Sequence, residues 1–88
     1  MQLDESWALA PSVALRPEPF GALAYHFGTR RLSFLKTPEL VDVVRRLADG
    51  SVREALVSAE VPESHWPAYV KALDSLATGG MISERQPA

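Results

Sequence analysis

VALRPEPFGALAYHFGTRRLSFLKTPELVDVVRRLADGSVREAL, residues 13–56, is the stretch that decides the fold. Two alternating apolar runs flank a four-residue turn, Gly28-Thr29-Arg30-Arg31. A Thr-Pro pair at 37 and 38 then opens a helix that Asp49 and Gly50 stop. This is the layout of a hairpin feeding a set of helices, so sheet and helices must share one core.

Val13 and Leu15 alternate with Ala14 and Arg16, which predicts a first strand stopped by Pro17 and Pro19. Gly21 releases the chain into a second strand. There Leu23, Tyr25 and Phe27 fall on one face and Ala22, Ala24 and His26 on the other, leaving one side bulky and the other small enough to lie against a neighbour. Leu32 to Leu35 makes a short third strand with Leu32 and Phe34 on one face. Thr37 as N-cap and Pro38 at the first helical position begin helix 1, whose Leu40, Val43, Val44 and Leu47 follow the i, i+3, i+4, i+7 rule. Ser51 and Glu54 form the capping box of helix 2, with Val52, Ala55, Leu56 and Ala59 as its apolar stripe. Pro62 and Pro67 bracket the start of helix 3, which places its N-cap near Ser64. Trp66, Tyr69, Val70, Leu73, Leu76 and Ala77 recur at helical spacing until Gly79-Gly80, after which Met81-Ile82 can add a short terminal strand. The expected organisation is an N-terminal arm over 1–11 carrying Trp7 as a cap on the core, a domain over 12–83 and a polar tail over 84–88.

Eighty-eight residues make one domain with a thin core, since a chain of this size buries only about 60 to 65% of its extended surface. Hydrophobic residues at 47% and charged residues at 23% argue against disorder through the body. With no cysteine there is no disulfide, no thiolate nucleophile and no Cys-ligated zinc or iron–sulfur cluster. The N-terminus lacks a basic region and a long apolar run, and no window approaches the roughly 18 apolar residues of a membrane span, so a cytoplasmic protein without a membrane partner is expected.

Catalytic chemistry is not apparent. His26 and His65 have no His, Cys or carboxylate at ligand spacing, which disfavours a metal site, and the carboxylates sit singly on solvated helix faces, as Glu39 and Asp42 do. Three helices with a small sheet also describe a winged helix-turn-helix, so nucleic-acid binding is the alternative. However, the net charge is −2 and the stretch from Ser64 to Thr78 offers only Lys71, opposed by Asp74, to phosphates or base edges. Arg30 and Arg31 read as a solvated loop tip. Nucleic acid is therefore not an expected partner. An oligomerisation module pairing its edge strands is a third possibility. A short third strand at a sheet edge leaves unpaired backbone groups that an extended peptide can complete.

The wording RPEPFGAL, YHFGTRRLSFLK and LADGS resembles the small chaperones of mycofactocin biosynthesis, the MftB family, within the PqqD-like precursor-peptide recognition domains. The resemblance spans roughly Trp7 to Ala59. It implies an α+β, winged-helix-like domain with a three-stranded antiparallel sheet followed by three helices. It also implies a non-enzymatic peptide chaperone with no cofactor, which holds a ribosomal precursor peptide for a radical S-adenosylmethionine (radical SAM) maturase. In such domains the peptide lies as an added strand between the third strand and the third helix. Carried over, the strand wall is Arg31, Leu32, Ser33, Phe34 and Leu35, and the helix wall draws on Trp66, Tyr69, Val70 and Leu73.

Overall fold

The computed structural model describes residues 1–85. Strand β1 (Trp7–Leu9) is followed by β2 (Val13–Glu18), β3 (Gly21–His26) and β4 (Leu32–Leu35). Helices α1 (Pro38–Arg46), α2 (Val52–Ser58) and α3 (Trp66–Thr78) come next, and β5 (Ile82–Glu84) ends the order. All pairing is antiparallel, in one sheet of order β2-β3-β4 and a second of β1 and β5. This is the α+β architecture expected from the sequence, with a second small sheet added.

Capping chemistry fixes where the helices begin. The Thr37 hydroxyl accepts the Leu40 N–H at 3.1 Å, with Pro38 inside the first turn. In α2 both halves of the capping box form: Ser51 Oγ accepts from the Glu54 N–H at 3.2 Å and Glu54 Oε1 from the Ser51 N–H at 2.9 Å. Between them α1 tightens into a 3-10 turn at Leu47–Asp49. Helix α3 starts one residue later than an N-cap at Ser64 would place it. A 3-10 turn over Glu63–His65 comes first and His65 takes the cap position without a side-chain hydrogen bond.

The small face of β3 accounts for the packing. Ala22 and Ala24 are fully buried, and their lack of bulk lets α1 lie directly on the sheet. Leu35, Val43, Val44, Leu47, Val52, Leu56, Leu73, Met81 and Ile82 complete the centre of the core. Gly21 is required where β2 turns into β3, because a Cβ there would collide with the Leu35 carbonyl oxygen.

The first strand does not stop at Pro17 but runs on to Glu18, with Pro17 opposite Ala22. The reason is the phase of the ladder. Phe27 donates its N–H to Ser12 at the end of the β2–β3 hairpin, so hydrogen-bonded pairs alternate from there and Pro17–Ala22 is a non-bonded pair. The missing N–H of Pro17 therefore faces the free edge, where it costs no ladder bond.

The N-terminal arm carries a strand that three residues are too short to announce by alternation. Trp7 pairs with Glu84 and Leu9 with Ile82, while Trp7 Nε1 donates to the Glu5 carboxylate at 3.0 Å and the indole packs against the core. Arg85 ties the junction, its N–H donating to the Ser6 carbonyl and its Nη2 to the Gly50 carbonyl at 2.6 Å. Of the expected polar tail, Gln86, Pro87 and Ala88 lie outside the described residues.

Two outcomes follow. Leu73 is fully buried, so Leu73→Ala should cost roughly 2 to 5 kcal/mol in a chemical denaturation series, a large share of so small a domain's stability. The Ser51 backbone N–H, and after it the Ser51 side chain, hold the Glu54 carboxyl below the usual glutamate range. A depressed pKa contributes stability above the unfolded value of about 4.3 and loses it as pH falls through the folded one. Glu54→Ala should therefore melt lower than the parent at neutral pH, and thermal melts should converge as pH falls through the depressed folded pKa.

Candidate functional site

Strand β4 has one paired and one open side, and the ladder's phase states which backbone groups occupy each. His26 donates its N–H to the Arg31 carbonyl at 2.9 Å, and the register continues through Tyr25–Leu32, Ala24–Ser33, Leu23–Phe34 and Ala22–Leu35. Antiparallel pairs alternate, so Ser33 and Leu35 bond to β3 whereas Leu32 and Phe34 direct N–H and C=O away from it. The β2 edge is blunter. Pro17 has no N–H to offer, and that of Val13 is spent on the Ala10 carbonyl at 3.0 Å.

The hairpin loop sets where β4 begins. Nδ1 of His26 accepts the N–H groups of Gly28 and Thr29, each at 3.1 Å, and Thr29 Oγ1 accepts from the Arg31 N–H at 3.3 Å. These bonds hold Arg30 at φ +60°, a left-handed conformation that non-glycine residues seldom adopt. His26 is thus a loop anchor, and among the described residues no group of three or more His, Asp or Glu is placed to hold a metal ion.

Beside the open edge runs a cleft of about 400 Å³ lined by Ser33, Phe34 and Lys36 from the β4 side, Leu40 of α1, and Ala72, Ser75 and Leu76 of α3. A smaller hollow of about 150 Å³, walled by Thr37, Leu40, Ala68, Tyr69 and Ala72, adjoins it through the shared Leu40 and Ala72. The floor is apolar and the strand wall carries free backbone groups. Such a combination accepts an extended chain as an added strand, main-chain bonds giving affinity and the floor reading alternate side chains.

The structure brings together part of the site read from the sequence. Arg31, Leu32, Ser33 and Phe34 lie on or at the end of the open strand, with Leu32 56% and Phe34 61% exposed. Leu35 is 1% exposed and belongs to the core, so its side chain presents nothing to a ligand. On α3, Tyr69 does wall the hollow, but Leu73 is fully buried. Trp66 and Val70 turn to another side of the helix and line a separate cavity with Leu3 and Glu63. The Trp66 indole is spoken for there, donating to the Val61 carbonyl at 3.0 Å with the Arg53 guanidinium 6.0 Å from its ring centre.

The helix wall is instead Ala68, Tyr69, Ala72, Ser75 and Leu76, one helical face around from the large apolar residues. Along this face Ala68, Ala72 and Ser75 are small and leave a groove open between the larger Tyr69 and Leu76. The spacing of Ala68, Ala72 and Ser75 at i, i+4, i+7 was the available sequence signal.

An open strand edge above an apolar cleft, on a thin α+β scaffold, is the geometry of a small domain with one sheet edge left free. The chain belongs to the peptide chaperone MftB family, whose model matches residues 6–83. It is 50% identical over 84 residues to a peptide chaperone MftB of Mycobacterium tuberculosis (strain ATCC 25618 / H37Rv), covering 94% of this chain and 77% of the relative. To that of Mycolicibacterium smegmatis (strain ATCC 700084 / mc(2)155) it is 49% identical over 85 residues, 96% and 83% of the two chains. The protein of the same name from Mycobacterium ulcerans (strain Agy99) is 52% identical over 80 residues, 90% and 73%. No solved structure matches significantly. The family match extends past Ala59, where the resemblance read from the sequence ends, through α3 and into β5. No helix among the described residues is long and apolar enough to cross a membrane.

The phase of the ladder has a direct readout in the free protein. Amides of Leu32 and Phe34 should exchange with deuterium faster than those of Ser33 and Leu35 by roughly an order of magnitude or more, since only the latter pair are bonded in the sheet. Equal protection along β4 would mean the edge is already covered.

Proposed function

We propose that this chain binds a ribosomally made precursor peptide as an added strand on β4 and presents it to the radical SAM maturase of mycofactocin biosynthesis. The observation that carries the reading is the pair of outward-facing backbone positions at Leu32 and Phe34, standing over the cleft floored by Leu40, Ala72 and Leu76. The membership of the peptide chaperone MftB family supports a peptide as the ligand.

Four strand residues span about 14 Å, enough to register a short segment of peptide and leave the rest free. The bound segment is then a leader, and the free part is what the maturase modifies. Tethering in this way raises the local concentration of substrate at the enzyme to roughly millimolar, which requires no catalytic group in the tether. The chain contains no cysteine, so cysteine-ligated iron–sulfur clusters reside in the maturase.

Titration of isotope-labelled protein with the precursor peptide tests this. Backbone amides from Arg31 to Phe34 should shift or gain protection more than those of α1's outer face, and Tyr69→Ala should weaken binding by about 1 kcal/mol or more while changing stability less than Leu73→Ala does. Largest shifts in α1 with β4 silent would sink strand capture. A Tyr69→Ala protein that binds normally but melts far lower would remove Tyr69 from the groove wall.

A further inference from the structure

The ends of the open strand carry charge that the domain itself does not neutralise. Arg30 and Arg31 stand at its start and Lys36 just past its end, all three exposed, and none is within ion-pair distance of a carboxylate among the described residues. Three cations elsewhere do have partners, Arg46 with Asp42 at 2.9 Å, Arg16 with Glu18 at 3.2 Å and Arg53 with Asp4 at 3.7 Å, while Arg45 and Lys71 stand singly on helix surfaces without one among the described residues. On a chain whose net charge is −2, three unpaired cations gather at the two ends of one strand. They border the β4 edge of the three-stranded sheet, whose outward positions Leu32 and Phe34 both offer an N–H. Between them the surface is apolar: Leu32 and Phe34 on the outer face, with the Phe20 and Phe34 rings 5.8 Å apart, and the cleft over Leu40, Ala72 and Leu76 on the inner.

We infer that the segment captured at this edge is acidic at both ends and apolar in the middle, its carboxylates meeting Arg30 and Arg31 at one end and Lys36 at the other. The inference rests on the strand-capture reading and adds the chemistry of the ligand to it. Arg31 and Lys36 are five residues apart, about 17 Å along an extended chain, which sets an apolar centre of about four residues between the carboxylates. Alternate central residues face opposite ways, half toward the cleft and half beside Leu32 and Phe34, so both sets must be apolar. The flanking pairs are solvent-exposed, where each contributes modestly and is screened by salt. Their main effect is selection among apolar segments and speed of encounter.

The test uses two fluorescein-labelled eight-residue peptides that share a four-residue centre of alternating valine and leucine, one with two glutamates at each end and one with two lysines. Anisotropy titrations with the full chain should give three- to tenfold tighter binding of the glutamate peptide at low salt, the gap closing in about 0.5 M salt, with both peptides shifting the Leu32 and Phe34 amides. The double variant Arg31→Glu, Lys36→Glu should reverse the preference, and its unperturbed amide spectrum elsewhere should show that it folds. Equal affinity of the two peptides, with β4 amides still shifting, would overturn the charge inference and leave strand capture standing. Binding that leaves β4 silent, or no binding of either peptide, would overturn both.

Discussion

The phase of one antiparallel ladder governs the rest of this structure. Because Phe27 bonds Ser12 and His26 bonds Arg31, successive residues of β3 serve opposite neighbours, the odd-numbered ones β2 and the even-numbered ones β4. That alternation turns the missing N–H of Pro17 outward on one edge and the intact N–H groups of Leu32 and Phe34 outward on the other. A sheet with two chemically equal edges would invite pairing at either. Here one edge is blunted by proline and by the Val13–Ala10 bond, while the other stays open beside a cleft.

The same strand decides where the helices can sit. Ala22 and Ala24 on its inner face admit α1 close to the sheet, and Leu40 at the start of that helix then floors the cleft. Helix α3 is held from behind by Leu73 and by β5, whose pairing with β1 closes the far side of the domain. Fixing α3 at a distance, with alanines and a serine facing β4, keeps the groove open. Core and site are therefore built from the same elements, and Ala68, Ala72 and Ser75 are the small residues that leave the groove open between them.

Much of this was legible before any coordinates. Local signals were the most reliable: the Thr37-Pro38 start, the Ser51–Glu54 box, and the small and bulky faces of β3 depend on neighbours a few residues away. Pro17 misled because proline's meaning in a strand depends on which way its absent N–H points, which is a property of the partner strand. The Trp7–Leu9 strand was invisible because its pairing with Ile82–Glu84 joins chain segments far apart in sequence. On α3, Tyr69 lines the smaller hollow, whereas Trp66, Val70 and Leu73 were read as groove because bulk was taken for binding surface. Their helical phase places them against the core and the N-terminal segment instead.

The central claim is that a free backbone N–H on β4 pairs with the incoming peptide, and one substitution pair isolates it. Leu32→Ala removes the exposed side chain and keeps the N–H, whereas Leu32→Pro removes the N–H at a ladder phase that already tolerates proline at Pro17. With folding verified by the amide spectrum, calorimetric titration with the precursor peptide should find Leu32→Ala within a few fold of the parent. Leu32→Pro should be weakened roughly tenfold or more through the lost bond and the ring's obstruction of the new strand. A folded Leu32→Pro protein that binds as tightly as Leu32→Ala would contradict strand addition at β4.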